Sequence, residues 1–435
     1  MITAKGIAIA LFVLMYVLMV MLPKRRAIVA CSTALIYVII SLFGPDILPA
    51  AMVPGAIDWN VLMMIWGTMI IVDYFIESKM PNLIAEWLLR LSPNVMWVTV
   101  FMSLFSGIIS AFIDNVATVL MVAPVGLAIC KKLKISPVSM IICIAVSSNL
   151  QGAATLVGDT TSIMLAARDA ANMNFNDFFV MHGRPGMFFA VELGALLTVP
   201  IMMFLFRKDT EPVSSDEHTS VTDYVPTITM VGHVILLIIA SFIPEAYKPE
   251  VTNGLICMVC GILTVVWEIA KQKSTDGMWH SLKALDWDTM FLLAGLFCVI
   301  AGISNVGVID DLAALISNAG GSNMFLLYSI VVWGSVAISA FIDNIPYVAT
   351  MLPILRSVSL ALGVEPYFLY FGLLVGATLG GNLSPIGASA NIAGVGMLRK
   401  EGYEVRFRDF FKIGIPFTLT AVTSGYLFIW LFWRP

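Results

Sequence analysis

Charge is what this chain has least of. Only 12% of its 435 residues are Asp, Glu, Lys or Arg, and 59% are hydrophobic; soluble domains carry about 25% charged and 45–50% apolar residues. So few ionic side chains cannot coat a water-facing globule of this size, and the mean hydropathy of +0.94 says the same. Ordinary soluble enzymes and disordered chains are thereby excluded. The net charge of −4 is too small to define a nucleic acid or any other polyion as partner. Cysteine is sparse and scattered (Cys31, Cys130, Cys143, Cys257, Cys260, Cys298). Cys257 and Cys260 form a CxxC, but no second pair or nearby histidine completes a zinc site, so the six read as buried thiols. No GxxxxGK[ST] stretch is present. Any work must therefore be driven by an ion gradient or the membrane potential, and no cofactor is expected beyond Na⁺ or H⁺ as coupling ion.

What the chain does have is long apolar runs. A membrane helix needs about 20 mainly apolar residues, and such runs lie near 6–23, 27–43, 60–76, 185–206, 228–244, 252–270, 287–304 and 413–433. The first looks like a signal peptide, but Lys24, Arg25 and Arg26 follow it without a small-residue cleavage site, so it reads as a retained span. Basic residues concentrate on the cytoplasmic side of bilayers. Counting from Lys24–Arg26 as inside places Lys79, Arg90, Lys131, Lys132, Lys134, Arg207, Lys208, Lys271, Lys273, Lys283 and the 399–412 cluster inside. Lys5, Arg168, Arg184, Lys248, Arg356 and Arg434 fall outside, with both termini. The count holds only if 95–130 and 323–362 each enter and leave on one face, as re-entrant hairpins with polar tips. The polar stretch 207–227 reads as a solvated cytoplasmic linker between a first half, 1–206, and a second, 228–435.

The halves repeat. Ser110-Ala-Phe-Ile-Asp-Asn115 recurs as Ser339-Ala-Phe-Ile-Asp-Asn344, 229 positions on, with Pro124 and Pro353 following in register. Asp58-Trp59 matches Asp286-Trp287, Gly152–Gly158 matches Gly381–Gly387, and Asn176-Asp-Phe-Phe179 matches Arg408-Asp-Phe-Phe411. Each half holds five crossings and one hairpin. Five is odd, so the second copy lies upside down. The expected fold is an all-α integral membrane protein of two inverted repeats, with broken helices at the midplane near 137–170 and 366–398. Inverted repeats of this kind belong to secondary transporters.

The candidate site follows from the polar residues at membrane depth. Asp114 and Asp343, beside Asn115 and Asn344, stand at the two tips; buried carboxylates there need partners, water or ions. Na⁺ is the candidate metal at these four residues. Capping of the second hairpin arm is the plainer role for each Asp and is compatible with ion binding. Thr118 lies one turn further. The broken segments add Asn149, Gly152, Thr155, Gly158, Asp159, Thr160 and Thr161 from the first half, and Gly381, Asn382, Ser384, Gly387, Ser389 and Asn391 from the second. Glycine allows unwinding and close approach, and the hydroxyls and amides offer neutral oxygens. Small-residue helix packing is the structural alternative. Asp159 has Ala388 as its counterpart, so only the first half carries a third carboxylate. The resulting chamber is expected to have no basic residue at its centre, which favours cation coupling. Asp73 belongs either to the site or to a helix end. Of the histidines, His182 and His280 lie by span ends, His218 in the linker and His233 inside a span, where a packing role is expected.

At these residues the chain resembles the ion transporter superfamily, and within it the ArsB/NhaD-type permeases with a citrate-transporter-like domain. The matching motifs are the two SAFIDN tips, GAATLVGDTTSI from Gly152, GGNLSPIGASANI from Gly380, and the NDFF and RDFF segments. The resemblance implies a homodimer and an elevator motion of hairpins and broken helices against a scaffold. Its members carry arsenite or silicic acid, exchange Na⁺ for H⁺, or move carboxylates. The dicarboxylate branch has Ser-Asn-Thr at its tips where this chain has Ile-Asp-Asn, and many relatives have Gly-Asp-Pro where it has Gly158-Asp159-Thr160. The expectation is an ion-gradient-coupled transporter of a small ion or anion in a bacterial-type inner (plasma) membrane, not an enzyme. Two membrane aspartates also evoke an intramembrane aspartyl protease, but the flanking motifs of that class are absent.

Overall fold

The computed structural model describes residues 4–167, 169–213, 219–244, 247–274, 278–279, 282–283, 285–321 and 323–435; Arg168, His218 and His280 lie outside the described residues. The first half runs α1 (Ala4–Met21), α2 (Arg26–Phe43), α3 (Trp59–Glu77), α4 (Met80–Leu91), α5 (Val95–Ser110), α6 (Asn115–Leu133), α7 (Val138–Gly152), α8 (Thr160–Ala166) and α9 (Met187–Leu205). The second half repeats that order with α10 (Val225–Ala240), α11 (Thr252–Gln272), α12 (Trp287–Asn305), α13 (Val308–Gly320), α14 (Met324–Ser339), α15 (Asn344–Leu362), α16 (Tyr367–Leu374), α17 (Ser389–Lys400) and α18 (Phe407–Trp433). The chain is an all-helical integral membrane protein of two inverted repeats. Each repeat has a hairpin (α5–α6, α14–α15) and a broken crossing (α7–α8, α16–α17).

The repeated sequence blocks are largely helix caps. Asp58 Oδ1 accepts from Val61 N at 3.0 Å to start α3, and Asp286 Oδ1 accepts from Thr289 N at 3.0 Å to start α12. Asn94 and Asn323 cap the first hairpin arms in the same way. Each satisfies a backbone donor that the first helical turn cannot. Asp177 and Asp409, in the NDFF and RDFF blocks, accept from the backbone of the third residue before them. In the first half that block forms a single turn ahead of a small hairpin, β1 (Val180–Met181) and β2 (Arg184–Pro185). In the second half it opens the long α18.

The halves interlock. α3 packs along α11, where Gly67 lies against the Cys257 backbone, and α12 packs along α2. Lipid-facing sides of α1, α9 and α11 expose Val13, Leu14, Val17, Leu196, Val259, Leu263 and Val266. The hairpins and broken helices form a second group, in which α17 crosses α7 and α6, and α8 meets α15.

Two features differ from expectation. α4 and α13 are short helices following α3 and α12, each with an apolar stripe and a polar face, and neither was anticipated. Their runs are too short to read as spans. The linker is also not simply solvated. Asp209 and Glu211 accept from the Met96 and Val95 N–H groups, Thr222 N donates to Ser78 O, and Thr219 N donates to Glu86 Oε2 at 2.7 Å. The chain between α9 and α10 thus straps across α4 and the start of α5.

Candidate functional site

Both hairpins end in a turn, 111–114 and 340–343, whose Asp caps the second arm. Asp114 Oδ1 accepts from Val116 N at 3.0 Å and Ala117 N at 3.1 Å. Asp343 Oδ1 accepts from Ile345 N at 3.1 Å. The breaks in the crossing helices fold over these turns, again identically. Thr155 Oγ1 donates to Ala111 O, and Ser384 Oγ donates to Ala340 O. Gly158 rests on the carbonyls of Ser110, Ala111 and Gly152, and Gly387 on those of Ser339, Ala340 and Gly381. A Cβ on Gly158 would fall 2.5 Å from the Ser110 and Gly152 oxygens, so only glycine fits. Thr155, Ser384, Gly158 and Gly387 thus hold loop to hairpin. Asn391 does similar work, donating to Gly381 O and Ser384 O at 3.3 and 3.1 Å. Gly152 and Gly381 supply the carbonyls just named.

The centre is a network joining both breaks. Asn149 Nδ2 donates to Thr378 O at 2.7 Å and to Asn382 Oδ1 at 3.1 Å, and Asn382 Nδ2 returns to Val146 O at 2.8 Å. Asn115 Nδ2 donates to Asn149 Oδ1 at 3.1 Å and reaches Asp159 Oδ1 at 3.4 Å. Thr161 Oγ1 donates to Asp159 Oδ2 at 2.5 Å and lies 2.9 Å from Thr378 Oγ1. Asn115, Asn149, Asp159, Thr161 and Asn382 are all at most 4% exposed. Thr118 is fully buried, and its hydroxyl has no hydrogen-bond partner among the described residues.

Beside this network lies a cavity of about 360 Å³, lined by Thr68, Asp73, Asp114, Asp159, Thr160 and Asp286 among apolar walls. Ile65, Thr68, Met69, Val72, Asp73 and Ile76 line it as one stripe of α3, running toward the Glu77 end. Asp73 therefore faces the same cavity as Asp114 and Asp159. No Lys or Arg lines the cavity among the described residues.

One expectation needs correction, because a basic residue does reach the centre. Arg26 Nη1 sits 2.7 Å from Asp343 Oδ2, which also accepts from Ser389 Oγ at 2.7 Å. Arg26 opens α2 and points inward from its first turn, whereas in the sequence it reads as the end of a loop cluster. Its position as the first residue of an apolar run was the available signal. Thr378 and Asp286 were also missed as site residues. Asn344, the counterpart of Asn115, is buried with Nδ2 unpartnered among the described residues; Thr378 and Ala388 stand where the first half has its acceptors Asn149 and Asp159.

Lipid-facing helices enclosing two interrupted crossings, whose breaks meet at a buried polar chamber, have the build of a membrane transporter. The chain belongs to the citrate transporter family, whose profile matches residues 16–376, as the resemblance to the ion transporter superfamily leads one to expect. It is 30% identical to an uncharacterized transporter of Mycobacterium tuberculosis over 432 residues, covering 98% of each chain. It is 26% identical to the human P protein over 451 residues, covering 86% of this chain and 53% of that one. The fold is shared with the YdaH transporter of Alcanivorax borkumensis, whose crystal structure was described as having an unusual topology. That match has a TM-score of 0.57 at 13% identity, over 93% of this chain and 96% of the other.

Proposed function

We propose that this chain is a cation-coupled secondary transporter of a bacterial-type inner (plasma) membrane, exchanging Na⁺ or H⁺ by alternating access. One observation carries the reading: the cavity at the first tip is lined by Asp73, Asp114, Asp159 and Asp286, with no basic side chain among the described residues. Fixed negative charge between apolar walls concentrates cations and repels a bare multivalent anion. Asp114, Asp159 and the Thr160 and Thr161 hydroxyls are the ligands we assign to the ion, with Asn115 steering Asp159. Asp343, Asn344 and Ser389 form the second-half counterpart. The cavity follows α3 toward Lys79, and Lys79 and Lys283 mark the inside by the basic-residue bias; this conformation is then open to the cytoplasm. The group of hairpins and broken helices is the moving part, the interlocked α2, α3, α11 and α12 the scaffold, and the working unit a homodimer.

The family's name favours a second reading, a carboxylate cargo. Such an anion would enter this cavity only together with cations. Proteoliposomes separate the two. On the first reading, a Na⁺ or pH gradient alone drives counter-flux of the other ion, and Asp114→Asn or Asp159→Asn reduces it to the level of empty liposomes. Full coupled flux in both variants refutes the assignment. Citrate uptake that requires a cation, with no cation exchange in its absence, selects the second reading.

A further inference from the structure

The two SAFIDN tips are identical in sequence and opposite in surroundings. At the first, no basic side chain reaches Asp114 among the described residues, and the carboxylate lines the cavity. At the second, Asp343 is 1% exposed at its side chain and is paired with Arg26, itself 17% exposed. Arg26 comes from α2, which packs chiefly along α12 and α1, outside the hairpin's own group. A neighbouring contact has the same origin: Tyr16 of α1 donates to Pro346 O at 2.7 Å and lies 2.7 Å from Thr350 Oγ1. The first turns of α15 are thus held by α1 and α2 together, whereas α6 packs on α4, α5, α7 and α17.

We infer that Arg26 is an internal counter-cation, which occupies the charge position at Asp343 when the second tip carries no ion and ties the hairpin to α2 in this conformation. The inference rests on the cation reading above and adds a residue to it. A carboxylate this buried keeps its charge only beside a partner. Asp343 offers Oδ2 to Arg26 and Ser389 together, and a cation arriving at that oxygen competes with the guanidinium. Loading therefore displaces Arg26 and frees α15 from α2. An empty tip restores the pair and holds the hairpin still. An exchanger needs this property, because a carrier that reorients empty lets its cargo run downhill without exchange.

The test uses full-length protein, wild type and the variants Arg26→Gln, Arg26→Lys and Arg26→Gln/Asp343→Asn. Thermal stability in detergent is measured against Na⁺, with choline replacing it at constant ionic strength. Net downhill Na⁺ flux is measured in proteoliposomes without an exchange partner. Arg26→Gln is expected to lower the half-stabilising Na⁺ concentration at least tenfold, equivalent to about 1.4 kcal/mol, and to open a net flux absent from wild type. The double variant loses the affinity gain, since Asp343 is what Arg26 competes for. Should the lone carboxylate keep Arg26→Gln from folding, Arg26→Lys decides: its single-point contact gives a smaller shift in the same direction. Wild-type protein that responds to Na⁺, with Arg26→Gln (or Arg26→Lys in its place) unchanged in half-stabilising concentration and tight to net flux, overturns the role of Arg26 alone. Wild-type protein whose stability ignores both Na⁺ and pH overturns the cation reading and this inference with it.

Discussion

Asn149 bonds the first repeat to the second, and its removal has a calculable effect. Asn149→Ala deletes the donors to Thr378 O and Asn382 Oδ1 and the acceptor for Asn115 Nδ2. All three partners are buried, so none recovers its bond from bulk water. Leaving a buried polar group unmet costs about 1–3 kcal/mol. Asn115 keeps its longer contact to Asp159, so two groups bear the full loss, and the expected destabilisation is about 2–6 kcal/mol. Against a total of about 5–15 kcal/mol, that is a large fraction. Asn149→Asp keeps the shape and the acceptor but turns a carboxylate toward two oxygens, and is expected to be at least as damaging. Thr420→Ala is the control, because the half-buried Thr420 hydroxyl bonds within its own helix, to Pro416 O, and its loss orphans no fully buried donor. The assay is recovery of folded protein by size exclusion after heating in detergent. Asn149→Ala is expected to lose its midpoint several degrees below Thr420→Ala. A midpoint equal to or above the control refutes the claim that this amide joins the halves.

Other outcomes follow from single contacts. Gly158→Ala and Gly387→Ala each drive a Cβ to 2.5 Å from backbone oxygens, and overpacking of this kind costs about 1–3 kcal/mol or more; Gly232→Ala, in α10 with nothing near its Cβ, is expected to gain up to about 1 kcal/mol of helix propensity. The heating assay ranks the three, and equal midpoints would remove the packing argument. The Thr219 N–H, helped by Arg90, holds the Glu86 carboxyl below its ordinary value of 4.5. A depressed carboxyl stabilises the strap at neutral pH and ceases to do so as pH falls below 4.5 through the lower folded value. Protease cutting between α9 and α10 should therefore accelerate only in acid, while Glu86→Gln should be cut faster at pH 7 with little pH dependence. Cysteines placed at 90 and 132 should react with an impermeant thiol reagent from one face of the membrane, and labelling from opposite faces would contradict the re-entrant hairpin.

The sequence carried the spans, the hairpins and the breaks because each has a local cause. Apolar length sets α1, α2, α3 and α9, and Asp or Asn before an apolar run sets the starts of α3, α5, α6 and their counterparts. The amphipathic α4 and α13 escaped because runs of 12 and 13 residues look like loop when the search is for spans. The linker's anchoring escaped for a different reason. Its polarity says that it is wet, but its bonds to Glu86, Ser78, Val95 and Met96 are made largely by backbone, which composition does not report. The site was legible where chemistry shares the repeat. It was not legible at Arg26, whose partner lies 317 positions away and whose side chain turns inward only once α2 is wound.

Comparing the halves separates architecture from chemistry within one molecule. Contacts that occur twice, 229 positions apart, are structural: the tip caps, Thr155 and Ser384 on the turn carbonyls, Gly158 and Gly387 against the same backbone. A duplicated fold has to keep these, because each hairpin must be closed in the same way. Contacts that occur once have no such obligation, and they gather around charge. Asp159 accepts from Asn115 and Thr161, while Ala388 offers Asn344 no such acceptor. Arg26 compensates Asp343, while Asp114 meets an acid-lined cavity. Two turns built from one motif therefore differ in the charge that surrounds them. A perfectly symmetric pair would bind a cation equally in both tips and gain no preference for either conformation from doing so. On the exchange reading proposed above, the inequality at residues 26, 159 and 388 is what lets ion binding at one tip favour one arrangement of the hairpins over the other.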